Sequence, residues 1–151
     1  MTRDSARITL RARGALADWI TCRAETGKAL VEAGLHPATG GDGLAACSGD
    51  MLLEALAACA GVTLSAVATA IGVKIDGGTV NVEGDLDFRG TLGVGKEAAV
   101  GFREIRLRFD LETDAGEAEL KTLTDLTERC CVVLQTLRHG PRVSVAQKAL
   151  T

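Results

Sequence analysis

Polar and apolar residues alternate with a period of two near the start of the chain. Ile8, Leu10 and Ala12 alternate with Thr9, Arg11 and Arg13, and residues 18–23 and 28–33 read the same way around a Thr26-Gly27 turn. Such alternation predicts half-buried strands. A loop rich in glycine and small residues follows from Leu35 to Gly49. The pattern then changes. Residues 51–71, MLLEALAACAGVTLSAVATAI, are apolar nearly all round. A helix of that kind is buried on all sides or lies in a membrane. Ser48 is the expected N-cap, with Asp50 favouring the positive helix end.

Alternation returns after Gly77-Gly78. Val80, Val82, Leu86 and Phe88 define one amphipathic strand, and Ile105, Leu107, Phe109 and Leu111 define another. From Glu117 to Arg138 the apolar residues recur at helical spacing, with Asp114 as the expected cap and Gly140-Pro141 as the stop. Val143 and Val145 suggest a last strand. Strands, helix, strands, helix and strand make an α+β plan in which antiparallel sheet covers the helices. Residues 1–151 read as a single domain, with no linker or internal repeat.

Composition narrows the classes. The 151 residues are 46% hydrophobic and 25% charged, with a net charge of −3, which predicts a soluble globular chain. Basic residues form no cluster, and three Phe with one Trp and no Tyr make no stacking platform, so nucleic acid is not an expected partner. Glu54 lies inside the apolar helix. A charge deep in lipid costs about 2.5 kcal/mol or more, and no basic cluster flanks the segment, so no membrane span is expected. A chain of this size has difficulty surrounding so apolar a helix, which predicts a homodimer. The first residues lack a signal-peptide core, which sets the expected compartment as the cytoplasm.

In that reducing compartment the five cysteines are not a structural disulfide framework. No C-x-x-C pair occurs, and His36 and His139 complete no ligand set, so no metal is expected. His36 reads as a surface or structural group in preference to a base. Cys22 falls in a strand and Cys47 in the loop. Cys59 is central in the apolar helix, among small residues that leave a thiol room to reach a cavity. On position alone, packing and chemistry both remain open for it. In the second helix, steps of about 100° per residue put Cys130 near the centre of the leucine stripe and Cys131 at its edge. That phase favours Cys130 as core packing and Cys131 as the residue facing a cleft.

SGDMLLEALAACAGVTL resembles the first-cysteine helix of the OsmC/Ohr family, the osmotically inducible and organic hydroperoxide resistance proteins. ERCCVVLQTL resembles the family's second-cysteine helix, and the interval to Leu137 selects Cys131. The strand blocks GTVNVEGDLDFRG and VGFREIRLRFDLET lie between them, so the resemblance spans roughly residues 30–146. It implies an intertwined homodimer with antiparallel sheets enclosing two central helices. It also implies a peroxidatic thiol at Cys59, a resolving thiol at Cys131, an organic hydroperoxide or hydrogen peroxide as substrate and an external thiol or dithiol as reductant. Neither metal nor flavin is needed. Family members commonly stabilise the thiolate with an Arg that is itself held by a Glu. The Glu position falls on Gly49, which leaves Asp50 and Glu54 as the nearest carboxylates and Arg13 and Arg23 as candidate cations. Ser48 and Val132 stand where the family often has proline. Other readings of the same features are a non-catalytic dimer binding a small apolar ligand, and a thiol redox sensor using Cys47 or Cys130.

Overall fold

A computed structural model describes residues 13–16, 21–25 and 30–150. They fall into two compact units. One runs up to Leu52 and resumes over Asp85–Arg103; the other comprises Leu53–Gly84 and the chain from Glu104 onward.

The first unit carries a four-stranded sheet in the order β1 (Arg13–Leu16), β2 (Thr21–Glu25), β3 (Leu30–Gly34) and β4 (Ala46–Cys47). β1–β2 and β2–β3 pair antiparallel, and β3–β4 pairs parallel. The strand expected over Ile8–Ala12 and the Thr26-Gly27 turn lie outside the described residues. Between β3 and β4 the chain makes a short 3₁₀ turn at Pro37–Thr39. Gly41 closes that loop so tightly that a Cβ there would sit 1.8 Å from the Leu35 carbonyl oxygen. Only glycine permits this approach. Phe88–Thr91 forms a single-turn helix, α2, capped by Asp87. The strand expected to include Leu86 and Phe88 therefore stops earlier, because the Asp87 carboxylate accepts from the Arg89 N–H and turns the chain.

α1 (Ser48–Ile71) supplies its first residues to this unit and the remainder to the second. It ends in a Schellman motif. Val73 N–H donates to the Ala68 carbonyl at 2.9 Å and Gly72 N–H to Thr69 at 3.4 Å, with Gly72 at φ 75°.

The second unit adds β5 (Gly77–Asp85), β6 (Glu104–Glu112), α3 (Glu117–Cys130) and α4 (Val132–Arg138). β5 and β6 form a two-stranded sheet. Asp76 N–H bonds the Glu112 carbonyl at one end, and Arg103 N–H bonds Asp85 at the other, so the pair is antiparallel. β6 follows the expected alternation along its whole length, with Ile105, Leu107, Phe109 and Leu111 turned inward. The α3 N-cap is Gly116, not Asp114, because Glu119 reaches back to accept the Gly116 N–H at 3.0 Å.

α1 presents one narrow stripe to the core: Leu56, Ala60, Leu64 and Ala68, each four residues from the last. Leu56 and Ala60 pack with Cys131 and Leu134 in one cluster, and Leu64 and Ala68 with Val73 and Leu123 in another. Phe109 touches both. Burial on all sides is not what this chain provides. Val62 is 73% exposed, because the elements of the unit reach only one side of the helix. The last strand expected at Val143 and Val145 is also not formed. Both are exposed and make no ladder, since no strand of the described residues pairs with them.

Candidate functional site

Cys59 precedes Ala60 of the buried stripe and is half-buried, with small neighbours Ala57, Ala58, Ala60 and Gly61 on its own helix. Opposite it stands Cys131, wholly buried. The Cys131 thiol donates to Cys59 Sγ across 3.4 Å. Both are free thiols. They stand well beyond the roughly 2.05 Å of a disulfide bond, yet close enough to form one with small side-chain movement.

Their meeting depends on a break that the periodicity of residues 117–138 does not predict. Cys131 adopts φ −72°, ψ 109°, ending α3 and capping α4. Its N–H still bonds the Thr127 carbonyl, and its own carbonyl accepts from Gln135 N–H, each at 2.9 Å. The Gln135 side-chain amide fills the Glu128 carbonyl at 2.7 Å, and Arg138 pairs with the Glu128 carboxylate at 2.8 Å. The Cys131 N–H and the Gln135 amide thus fill the Thr127 and Glu128 carbonyls that the end of α3 leaves open. Two successive β-branched residues, Val132 and Val133, weaken the helical preference at this point.

The break aims the free N–H groups of α4 at sulfur. Burial pushes the Cys59 thiol up. Hydrogen bonds from the Val133 N–H, the Cys131 thiol, the Thr63 hydroxyl and the Val132 N–H together outweigh it, and Cys59 ionises below the usual thiol range. Burial pushes the Cys131 thiol up. A bond from the Leu134 N–H opposes this, whereas the bond donated to Cys59 and the charge forming there reinforce it. Cys59 is thus the more acidic thiol of the pair and Cys131 its proton-bearing neighbour.

Helical phase assigned the two adjacent cysteines wrongly. Cys130 is exposed and Cys131 buried. The core face of α3 runs through Leu123 and Thr127 to Cys131, since a buried threonine belongs to it while Leu137 lies at the rim, 37% exposed. The Leu137 interval points to Cys131, the cysteine that stands against Cys59.

Neither candidate carboxylate is among the described hydrogen-bond partners of the two thiols. Asp50 and Glu54 are exposed, and neither makes a hydrogen bond or ion pair among the described residues. Arg13 and Arg23 lie in β1 and β2, and their side chains fall outside the described residues. A Cβ on Gly49 would stand 3.4 Å from Leu86, 3.5 Å from Phe102 and 3.7 Å from the Cys47 sulfur. His36 is structural: its Nδ1 accepts from the Ala38 N–H at 3.1 Å, and its ring stacks on Phe88 at 5.1 Å. No metal-ligand cluster occurs among the described residues.

Sequence reasoning missed Thr63 and the α4 amides. Thr63 follows Cys59 by four residues, a spacing that places it on the same helix face, and this was a legible signal. Replacing Thr63 with valine removes a hydroxyl donor while keeping the shape. The Cys59 thiol should then ionise at higher pH, and its alkylation near neutral pH should slow by about three- to tenfold. Thr63→Ser should retain the wild-type profile of alkylation rate against pH. A second variant probes the break. Val132 is the first residue of α4, where proline fits. The extended backbone at Cys131 suits a residue preceding proline. Val132→Pro should remove the N–H that reaches the Cys59 sulfur, so Cys59 ionisation moves upward and its alkylation near neutral pH slows.

An α+β scaffold holding two unlike thiols in contact defines a paired-thiol protein. The chain belongs to the OsmC-like protein family, whose pattern it matches over residues 40–146. Solved structures agree in fold. An OsmC-like protein from Mycoplasma pneumoniae superposes with a TM-score of 0.74 at 21% identity, over 88% of this chain and 89% of that one. An organic hydroperoxide resistance protein OsmC from Legionella pneumophila gives 0.69 at 18% identity, over 89% and 92%. One from Elizabethkingia anophelis gives 0.71 at 15%, over 89% and 91%. A comparison with curated proteins found no match.

Proposed function

We propose that the protein is a thiol-dependent peroxidase that reduces organic hydroperoxides, and hydrogen peroxide more slowly. The observation that carries this reading is the 3.4 Å contact between the Cys59 and Cys131 sulfurs, with Cys59 the more acidic. The Cys59 thiolate attacks the terminal oxygen of the peroxide. The O–O bond breaks, the alkoxide leaves and takes up a proton, and Cys59 becomes a sulfenic acid. The Cys131 sulfur then displaces hydroxide, which leaves as water, and the disulfide forms. Two equivalents of an external thiol, or one dithiol, reduce it by exchange. Both electrons come from the reductant, so neither metal nor flavin enters. Support for an organic substrate comes from the apolar residues packed on this cluster, Val80, Val82, Ile105, Leu107 and Phe109. Support also comes from relatives in fold that are described as organic hydroperoxide resistance proteins.

The working unit in this reading is a cytoplasmic homodimer. Leu52, Val62 and Ile71 of α1 stand exposed, as do Val143 and Val145, and a second copy would cover them. Nucleic acid and membrane have no part in it. Consumption of cumene hydroperoxide and of hydrogen peroxide, each with a dithiol reductant, tests the activity. The organic peroxide should disappear faster; equal loss with and without protein would contradict the proposal.

A second reading, a binder of small apolar ligands, is favoured by a separate groove of about 480 Å³ beside α1, lined by Gly61, Leu64, Val73, Ile75 and Leu111 among others. It predicts ligand affinity unchanged by Cys59→Ser.

A further inference from the structure

Apart from the thiol pair, an open cleft of about 470 Å³ at the α3–α4 junction gathers Arg129, Cys130, Gln135, Thr136, His139 and Pro141. Cys130 is exposed, whereas Cys47 and Cys59 are half-buried and Cys131 is buried. Arg129 has no ion-pair partner among the described residues, and the adjacent carboxylate, Glu128, is taken by Arg138 at 2.8 Å. A nucleophilic thiol therefore shares a cleft with an uncompensated guanidinium, an imidazole and a hydroxyl. Nor has Cys130 a low-strain partner in Cys131. Adjacent Cα atoms lie about 3.8 Å apart, below the roughly 4.4 Å at which disulfides begin to form without strain. Exchange at Cys130 therefore calls for a sulfur other than its neighbour's.

We propose that this cleft binds and exchanges with a small anionic thiol, a molecule carrying one sulfur and one or more carboxylates, which Cys130 takes up as a mixed disulfide. Arg129 supplies the planar donor fork that carboxylates accept bidentately. The Thr136 hydroxyl and the His139 ring offer polar contacts, and the volume suits a ligand of tripeptide size. The exchange balances. The Cys130 thiolate attacks one sulfur of the symmetrical disulfide of that thiol, its S–S bond breaks, a Cys130–S–S–R bond forms, and the second half leaves as a thiolate with the electron pair. No peroxide takes part, so this site stands or falls independently of the peroxidase reading.

The test uses the full-length reduced Cys59→Ser protein without oxygen, so that exchange at Cys59 does not compete. Oxidised glutathione is the anionic probe and 2-hydroxyethyl disulfide the neutral one, with adducts mapped by peptide mass over time. The first glutathione adduct should fall on Cys130. Arg129→Ala, an exposed substitution, should slow that adduct about fivefold at low salt and leave the neutral probe unaffected. Faster modification of any other cysteine would overturn the proposal. So would an Arg129→Ala protein that reacts with the anionic probe as wild type does, or that slows equally with both probes.

Discussion

Cys59→Ser should abolish peroxide consumption, lowering the rate at least about a thousandfold. A serine hydroxyl at this position stays protonated near neutral pH, and no other described thiol receives the same set of donors. Val132, Val133, Thr63 and Cys131 all direct hydrogen bonds at the sulfur of residue 59. The substitution removes one atom's chemistry and little volume, so folding should be retained, and circular dichroism would verify this. The wild-type pH profile follows from the same donors. Because Cys59 ionises below the usual thiol range and Cys131 above it, there is a window in which one is a thiolate and the other a thiol. Activity should rise with pH earlier than the reaction of a free cysteine does. It should change again where Cys131 loses its proton and ceases to donate.

Cys131→Ser should separate the first turnover from the rest. The serine hydroxyl can still donate to Cys59, so a single equivalent of peroxide should be consumed at near the wild-type rate. The sulfenic acid then has no thiol beside it. Proximity of the kind seen here is worth many orders of magnitude in effective concentration, and steady-state turnover with an external thiol should drop on the order of a hundredfold. Further peroxide should drive Cys59 to the irreversible sulfinic acid, visible by mass as loss of recoverable thiol. Equal steady-state rates for wild type and Cys131→Ser would remove Cys131 from the reaction.

Much of this arrangement is legible in the residues. The long apolar run at 51–71 fixes α1, and strict alternation at 105–112 fixes β6, because each pattern has one period and one boundary signal. The two cysteine motifs locate Cys59 and Cys131. What the residues conceal is local. The chain carries neither glycine nor proline at Cys131, so the break there rests on Gln135 and Arg138 reaching back to Glu128, bonds that no periodicity encodes. The same break supplies the α4 amides that aid Cys59, donors that charged residues such as Asp50 and Glu54 do not signal. Phase failed at Cys130 because a polar residue, Thr127, belongs to the core face and is 1% exposed. Val143 and Val145 alternate as a strand does, yet alternation cannot supply the partner that a ladder needs.

The central claim is that Cys59 and Cys131 act as one redox pair. Treating the reduced protein with one equivalent of cumene hydroperoxide and mapping its disulfides by peptide mass tests this most directly. A single intramolecular Cys59–Cys131 disulfide is the predicted product. A free Cys59 after peroxide has been consumed, with oxidation at Cys47 or Cys130 instead, would contradict the account.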